Sequence, residues 1–285
     1  MESYKTYEIT QLGEPLFKSR SSDIYAFEGK DVLLKLFHSD VSQELIDGEE
    51  VNTKDTFEKG ISKIECFGQV RVTDTDGTVR SGILMKKIPG KTLIDLGLSK
   101  PAFLLKLAGI MVEQAKLLHS TETDVIRPYK ELVRYAMAQP PMDYLTEEQR
   151  ALIEKKLDAL PDKKSILHFD FHPDNIMSDG KNFVSTIDWM TAASGDPAAD
   201  IAATQFLLNE GEMIPGMNPA VAAISEFMRG KIWKSFYKNY KKQTGMTDEE
   251  VAAWRFAFLI VRLGIWGIES ETPYIREKLE EELAK

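Results

Sequence analysis

The stretch that decides the fold of this 285-residue chain is His168-Phe169-Asp170-Phe171-His172-Pro173-Asp174-Asn175. It places Asp170 third in a His-x-Asp opening and Asn175 five positions after that aspartate. A second aspartate, Asp188, follows a predicted strand over residues 183–187. A carboxylate can take a proton from a nearby hydroxyl, and carboxylate and amide oxygens are ligands for hard cations. This stretch therefore holds the strongest candidates for a catalytic site.

Composition places the chain among ordinary globular proteins, because 43% of its residues are hydrophobic and 28% are charged. A net charge of −9 argues against a nucleic-acid-binding protein, whose binding surface is basic. Cys66 is the single cysteine, so no internal disulfide can form, and a reducing compartment is expected.

The chain shows no membrane-directed segment. The N-terminal residues 1–5 lack an apolar signal core, and the most apolar run, residues 256–268, is too short to span a bilayer and contains Arg262. We therefore expect a cytoplasmic protein with no membrane and no nucleic-acid partner, and the sequence indicates no protein partner.

The first 90 residues are predicted to be rich in strands. The apolar run Val32–Phe37 suggests a central strand interrupted by Lys35, which is either an outward-facing edge residue or a lysine directed at phosphates. A helix capped by Ser39 or Asp40 is expected to end at Gly60, with strands at 61–71 and 79–88.

Pro89-Gly90 breaks this pattern and marks a predicted boundary between residues 1–90 and 91–285. The second part is mostly helical. Residues 146–149 and 247–250 are capping boxes that each predict a helix start, and a further helix begins after Gly195.

Four blocks of sequence occur in an order that resembles the aminoglycoside phosphotransferase and choline kinase-like family. This group contains small-molecule kinases that share the protein-kinase-like fold. The resemblance implies an α+β, bilobal fold with a β-rich N-terminal lobe that binds the nucleotide and a mainly helical C-terminal lobe for catalysis and substrate. The blocks are residues 32–37, 84–93, 168–175 and 187–200.

The resemblance implies an ATP-dependent phosphotransferase. MgATP would lie between the lobes, and its γ-phosphoryl group would move to a hydroxyl of a small molecule: an aminoglycoside-like compound, an amino alcohol, a sugar or an amino acid. In this interpretation Asp170 is the catalytic base, while Asn175 and Asp188 hold Mg²⁺. Phosphoryl transfer concentrates negative charge on oxygen atoms, which is why a hard cation is needed there.

The nucleotide-binding residues implied by the resemblance lie in the first lobe. Lys35 resembles the strand lysine that binds the α- and β-phosphates, and its helix partner is Glu50 or Glu49, of which we prefer Glu50. The segment Met85–Ile88 resembles the hinge that contacts adenine, which suggests Met85, Lys86 and Ile88 as nucleotide contacts.

Some features depart from the protein-kinase pattern. No Gly-rich loop precedes the lysine strand, and residues 19–22 stand there instead, with Ser21 and Ser22 as candidate phosphate contacts. Trp189 stands where protein kinases have the Phe of Asp-Phe-Gly. His168 and Asp200 resemble residues that support the catalytic loop.

Two other functions remain open. His168, Asp170 and His172 alternate and would share one face of a strand, where they would form a transition-metal site for hydrolysis. Alternatively, the protein binds nucleotide without catalysis. A P-loop ATPase or GTPase is excluded, because the Gly-x-x-x-x-Gly-Lys-Ser/Thr motif is absent from the sequence.

The acceptor is not readable from the sequence, because no motif occurs over residues 120–165 or in the C-terminal helices. Asp196, Glu210 and Glu212 are acidic residues that would attract an amine, or they belong to the solvated surface.

Overall fold

The computed structural model describes residues 4–26, 31–211 and 219–285. Contacts divide the chain into two compact units. The first comprises Met1–Leu93 and Asn175–Ala192, and the second comprises Ile94–Asp174 and Ala193–Lys285. The predicted division at residue 90 concerns functional lobes and stays a prediction. The first compact unit also contains residues 175–192, which come from the later part of the sequence.

The first unit is built on a six-stranded sheet with the order β1-β5-β6-β4-β3-β2. β1 and β5 are parallel, and the other neighbouring strands are antiparallel. β4 lies inside the sheet between β3 and β6, as its apolar sequence predicts. The strands are β1 (Lys5–Glu8), β2 (Phe17–Lys18), β3 (Ser22–Ala26), β4 (Val32–Phe37), β5 (Cys66–Thr73) and β6 (Val79–Lys86).

One helix, α1 (Gln43–Glu58), packs on this sheet through β5 and β6. Its N-cap is Ser42, whose side chain accepts a hydrogen bond from the Leu45 N–H, so the predicted start at Ser39 or Asp40 was too early. The predicted stop is correct, because Gly60 follows the helix with a φ of 73° that a glycine adopts without strain.

The first unit also contains a small three-stranded sheet in the order β10-β9-β7. Gly90 lies just before β7 with a φ of 106°, and a Cβ atom there would lie 2.4 Å from the Ser178 carbonyl oxygen. Only glycine permits this approach, which gives the Pro89-Gly90 break a structural reason. The strands are β7 (Lys91–Thr92), β9 (Ile176–Ser178) and β10 (Val184–Thr186).

The second unit is mainly helical, with one antiparallel strand pair, β8 (Ser165–Leu167) and β11 (Ala193–Gly195). Both predicted capping boxes are confirmed, at Thr146 and Thr247. No helix in the described part of the chain is long and apolar enough to cross a membrane. The helices, of which α2 begins at the last residue of the first unit, are α2 (Leu93–Ser99), α3 (Leu104–His119), α4 (Tyr129–Met137), α5 (Glu147–Asp158), α6 (Pro197–Asn209), α7 (Pro219–Thr244), α8 (Asp248–Ala253), α9 (Arg255–Val261) and α10 (Thr272–Leu283).

Candidate active site

Lys35 is positioned by the alternation of side chains along β4. Leu34 and Leu36 belong to the hydrophobic cluster on one face of the sheet, whereas Phe37 packs against Ile46 of α1 on the other. Lys35 shares the face of Phe37 and therefore points toward α1. It is only 4% exposed and lies on an interior strand, so the alternative of an outward-facing edge lysine was wrong.

The buried ammonium group of Lys35 contacts two carboxylates. Its Nζ donates to both oxygens of Glu49, at 2.7 and 2.9 Å, and to Oδ1 of Asp188 at 2.8 Å. A buried charge is tolerated when it is paired and hydrogen-bonded, and this group has both forms of compensation. The three residues form what we call the lysine cluster.

The preference for Glu50 as the partner of Lys35 was wrong. Glu49 is 2% exposed and faces the sheet, whereas Glu50 forms an ion pair of 2.6 Å with Lys54 one helical turn onward. Adjacent helix positions point in directions about 100° apart, so one of the two glutamates must turn away. The sequence of α1 carries only a weak apolar period, which is why it did not identify the inward-facing one.

Charges within the lysine cluster influence one another. Burial alone would lower the pKa of Lys35, but Asp188 and Glu49 raise it above its ordinary value, so the ammonium stays charged. Burial raises the pKa of Glu49 and Asp188 adds to this rise, while Lys35 opposes it. Together these effects raise the pKa of Glu49 to about 7. The cluster thus sets two acidic side chains against one cation.

Asn175 and Asp188 lie at the open end of the β9–β10 hairpin. The register of this hairpin pairs Ile176 with Thr186, and the Ile187 N–H donates to the Asn175 carbonyl at 2.9 Å. Two residues that are distant in sequence are therefore held as near neighbours in the first unit. The Asp188 side chain is 39% exposed, so a ligand can reach its second oxygen.

The loop that carries Asp170 follows β8 in the second unit. Phe169 adopts a φ of 60°, and its N–H donates to Oδ1 of Asp200 at 2.7 Å. Its ring stacks on Tyr129 with the centroids 3.9 Å apart. Because β11 pairs with β8 and leads through the capping residue Asp196 into α6, the first turn of α6 brings Asp200 beneath the loop. The supporting role predicted for Asp200 agrees with this geometry and stays a prediction.

Asp200 continues into a buried hydrogen-bond chain. Its Oδ2 lies 2.9 Å from Nε2 of His119, and Nδ1 of His119 lies 2.6 Å from the Tyr240 hydroxyl. Burial would raise the pKa of Asp200, but the hydrogen bond and charge of His119 outweigh it and lower the pKa. The sequence does not single out His119, since a histidine at a helix end carries no signal of its distant partners.

Asp170 is surrounded by basic groups of the second unit. Its N–H donates to Nδ1 of the fully buried His168 at 3.2 Å, and Oδ1 lies 3.5 Å from Nε2 of His172. Burial alone would raise the pKa of Asp170, but His172, with smaller effects of His168 and Arg262, holds it well below its usual range. The carboxylate is therefore ionised at neutral pH.

The transition-metal alternative does not fit this geometry. Residues 168–172 lie after the end of β8 and form no strand, so His168, Asp170 and His172 do not share a strand face. In the described part of the chain, no group of three or more His, Cys, Asp or Glu residues is arranged to hold a metal ion.

The predicted hinge lies at the end of β6. Met85 is buried, Lys86 is exposed and Ile88 is half-buried. The N–H groups of Lys86 and Lys87 already donate to the carbonyls of Glu65 and Asp31, at 2.8 and 2.9 Å. These two N–H groups are therefore engaged within the protein, and contacts of Met85, Lys86 and Ile88 to a nucleotide stay a prediction.

The predicted serine loop is a tight turn between β2 and β3. The Ser22 N–H donates to Ser19 Oγ at 3.1 Å, and the Ser19 N–H donates to the Ser22 carbonyl at 2.8 Å. Ser22 is buried and Ser21 is half-buried. These bonds hold Ser19 and Ser22 together, and phosphate contacts by Ser21 and Ser22 stay a prediction.

Known protein families and solved structures resemble this chain. The model of the phosphotransferase enzyme family matches residues 20–226. No curated protein sequence matches the chain. Among solved structures, aminoglycoside phosphotransferase APH(4)-Ia is similar with a TM-score of 0.62 at 12% identity, covering 95% of this chain and 92% of that one. Choline kinase LicA from Streptococcus pneumoniae has a TM-score of 0.56 at 17% identity, covering 96% and 92%.

Amicoumacin kinase hAmiN, solved in complex with AMP-PNP, Ca²⁺ and Ami, has a TM-score of 0.52 at 15% identity, and the match covers 99% of this chain and 89% of that one. At such low identity these structures show the fold, and they confirm the predicted protein-kinase-like α+β class. The family match confirms the predicted enzyme class, a small-molecule kinase. Because the matched model covers more than half of the sequence, this chain belongs to the phosphotransferase enzyme family.

Proposed function

We propose that this enzyme transfers the γ-phosphoryl group of ATP to a hydroxyl of a small molecule, with Asp170 as the base. The single observation that carries the proposal is the lysine cluster of Lys35, Glu49 and Asp188. Kinase chemistry requires a strand lysine paired with a helix glutamate, together with an aspartate that binds the metal. In the first unit both carboxylates contact the ammonium group of Lys35.

Lys35 would bind the phosphates of the nucleotide, while Glu49 keeps its side chain in place. An ammonium group held between two carboxylates cannot swing freely, so the geometry is established before ATP binds. The phosphates would then contact the ammonium group of Lys35, which lies 2.8 Å from Oδ1 of Asp188. This arrangement neutralises phosphate charge without a covalent intermediate.

The donor set of Asn175 and Asp188 fits Mg²⁺. This ion prefers oxygen ligands and is commonly held by one or two carboxylates, substrate phosphates and water. The half-exposed carboxylate of Asp188 and the amide oxygen of Asn175 offer that combination. When bound, Mg²⁺ would neutralise the charge that develops on the phosphate oxygens. The structures of similar kinases solved with AMP-PNP or ADP support a nucleotide in this fold.

Asp170 would orient the acceptor hydroxyl and accept its proton. Because the pKa of Asp170 is held below its usual range, the carboxylate is a ready hydrogen-bond acceptor but a weak base. Such a group takes the proton late, when the bond to phosphorus has begun to form. A late proton transfer suits a loose transition state in which the nucleophile keeps its proton for most of the reaction.

The acidic residues considered for an amine-containing acceptor are already engaged. Asp196 caps α6 and forms an ion pair with Lys163 at 3.2 Å. Glu210 is bound by both guanidinium nitrogens of Arg255, at 2.6 and 2.5 Å, and by the Tyr274 hydroxyl. Glu212 lies outside the described residues. The proposal therefore specifies a hydroxyl acceptor and no charge for it.

The test is acceptor-dependent release of ADP from MgATP. The panel contains aminoglycosides, choline, ethanolamine, sugars and hydroxy amino acids, with Asp170→Asn as the control. Release with one acceptor class that is lost in Asp170→Asn supports the proposal and names the class. Tight MgATP binding without release from any acceptor favours the binding-only alternative, and absence of nucleotide binding contradicts both.

A further inference from the structure

Asn52 is a buried polar residue of α1 that the proposed mechanism does not use. It lies three positions after Glu49, close to one helical turn onward, and is 4% exposed. We infer that Asn52 is a positioning residue for Asp188: its side-chain amide holds the turn that follows Asp188 and so fixes the carboxylate that Lys35 contacts. This inference rests on the proposed function, because it assumes that Asp188 binds the metal.

The contacts of Asn52 are with one short turn of the backbone. Its Nδ2 donates to the Trp189 carbonyl at 2.9 Å and to the Ala192 carbonyl at 3.3 Å. The same turn is closed by the Ala192 N–H, which donates to the Trp189 carbonyl at 3.1 Å. The two hydrogens of a single amide group therefore bridge the first and last residues of the turn.

Asp188 needs this support because of its backbone conformation. Its φ is 64°, in the left-handed region that a non-glycine residue adopts only when the surroundings enforce it. The peptide that joins Asp188 to Trp189 carries the carboxylate at one end and the clamped turn at the other. Release of the turn would let Asp188 relax toward an ordinary backbone conformation and move its carboxylate.

One helix therefore controls both acidic partners of Lys35. Glu49 contacts the ammonium directly, whereas Asn52 acts on Asp188 through the backbone. Residues three positions apart lie on the same face of a helix, so any movement of α1 displaces both groups together. If Asn52 only satisfies the two carbonyls, loss of its amide should not change metal binding. If Asn52 positions Asp188, loss of its amide should weaken metal binding.

The variants are Asn52→Leu, which removes the donors at similar size, and Asn52→Asp, which retains the shape and sets a carboxylate against two carbonyls. Thr56→Val is the matched control, since Thr56 is also buried on α1 but its hydroxyl is directed at carbonyls of the same helix, those of Asn52 at 2.8 Å and Thr53 at 3.2 Å. Should Asn52→Leu not fold, Asn52→Asp carries the test.

Two measurements apply to the full chain. Hydrogen exchange by mass spectrometry reports protection of the Ala192 amide without nucleotide, and calorimetry reports ATP affinity as a function of Mg²⁺ concentration. We expect faster exchange at residues 189–192 and Mg²⁺-dependent binding weakened about 10- to 100-fold, the range for residues that orient metal ligands. Thr56→Val should change neither quantity.

Unchanged exchange in both Asn52 variants overturns the inference, even where turnover falls. Faster exchange with unchanged Mg²⁺ dependence also overturns it, because the clamp would then not reach Asp188. The metal assignment in the proposed function has its own test: Asp188→Ala must weaken Mg²⁺-dependent binding of ATP. If Asp188→Ala leaves this binding unchanged, the metal assignment in the proposed function is wrong. That result is independent of the Asn52 variants, so the two failures can be distinguished.

Discussion

Phe169 and Asp188 are the non-glycine residues with a positive φ in the described ranges, yet the two units support them in different ways. Asp188 is the proposed metal ligand itself and contacts the ammonium of Lys35, and Asn52 hydrogen-bonds to the turn that follows it. Phe169 only precedes the candidate base, and a carboxylate and a stacked ring hold it. In the first unit an ammonium group contacts the Asp188 carboxylate directly. In the second unit a hydrogen bond to the Phe169 backbone and a stacked ring hold the loop. Loss of the contacts that hold Asp188 should therefore reduce nucleotide binding and turnover, whereas loss of the contacts that hold Phe169 should mainly reduce stability.

The largest effect is expected for Asp170→Asn, because the amide cannot accept the proton. Turnover should fall by roughly 10²–10⁴-fold, the range for loss of a general base. The affinity for MgATP and the melting temperature should stay close to those of the unmodified enzyme. ADP release and calorimetry measure the two quantities, and turnover equal to that of the unmodified enzyme would refute the assignment.

The lysine cluster is tested by comparing Glu49→Gln with Glu50→Gln. Glu49→Gln should lower turnover by up to roughly 10²-fold, the scale of misplacing a positioned group. Glu50→Gln removes a partly exposed pair within one helix, worth about 0.3–0.5 kcal/mol, and should leave turnover almost unchanged. Steady-state kinetics at saturating ATP decide between them, and equal losses would contradict the assignment of Glu49.

Asp200→Asn should act mainly on stability. It removes the charged acceptor of the Phe169 N–H and weakens the contact with His119, at a cost of about 1.5–3 kcal/mol in the free energy of unfolding. Urea denaturation at pH 7 measures this loss. If the variant is as stable as the unmodified protein, the hydrogen-bond chain does not support the loop.

The stability of the unmodified protein and of Asp200→Asn should also depend differently on pH. The pKa of Asp200 is lowered in the folded state, so its contribution is complete above the unfolded value of about 4 and is lost as the pH falls through the folded value. Between pH 5 and pH 3 the unmodified protein should therefore lose more stability than Asp200→Asn. Equal losses in this interval would show that Asp200 has the same pKa in both states.

The smallest effect is expected for Tyr240→Phe, which removes only the hydroxyl at the end of the chain. The loss of its hydrogen bond to His119 should lower the free energy of unfolding by about 0.5–1.5 kcal/mol, with turnover nearly unchanged. A loss larger than that of Asp200→Asn would reverse the expected order, because the chain would then depend on its far end rather than on its contact with the loop.

Local features of the fold were predictable because they depend on neighbouring residues. The capping boxes at Thr146 and Thr247 lie where their hydroxyl and carboxylate or amide side chains predict. The C-terminal helical segment was predicted less well. Its capping box is correct, but the structure divides the segment that follows into α8, α9 and a π-helical turn over Arg262–Trp266. Gly264 of that turn lies against the backbone of α4, a contact that no local pattern reports.

The sequence alone determined the residue types and spacings that the chemistry needs: a lysine in a buried strand, and an aspartate, an asparagine and a second aspartate in order. Tertiary structure decided which groups meet. It selected Glu49 over Glu50 through the direction in which α1 faces the sheet. It also brought Asn52 to the turn after Asp188 and His119 to Asp200, across separations of 137 and 81 residues to their partners. Spacing along the chain constrains only near neighbours, whereas contacts between distant segments depend on how whole helices and sheets pack.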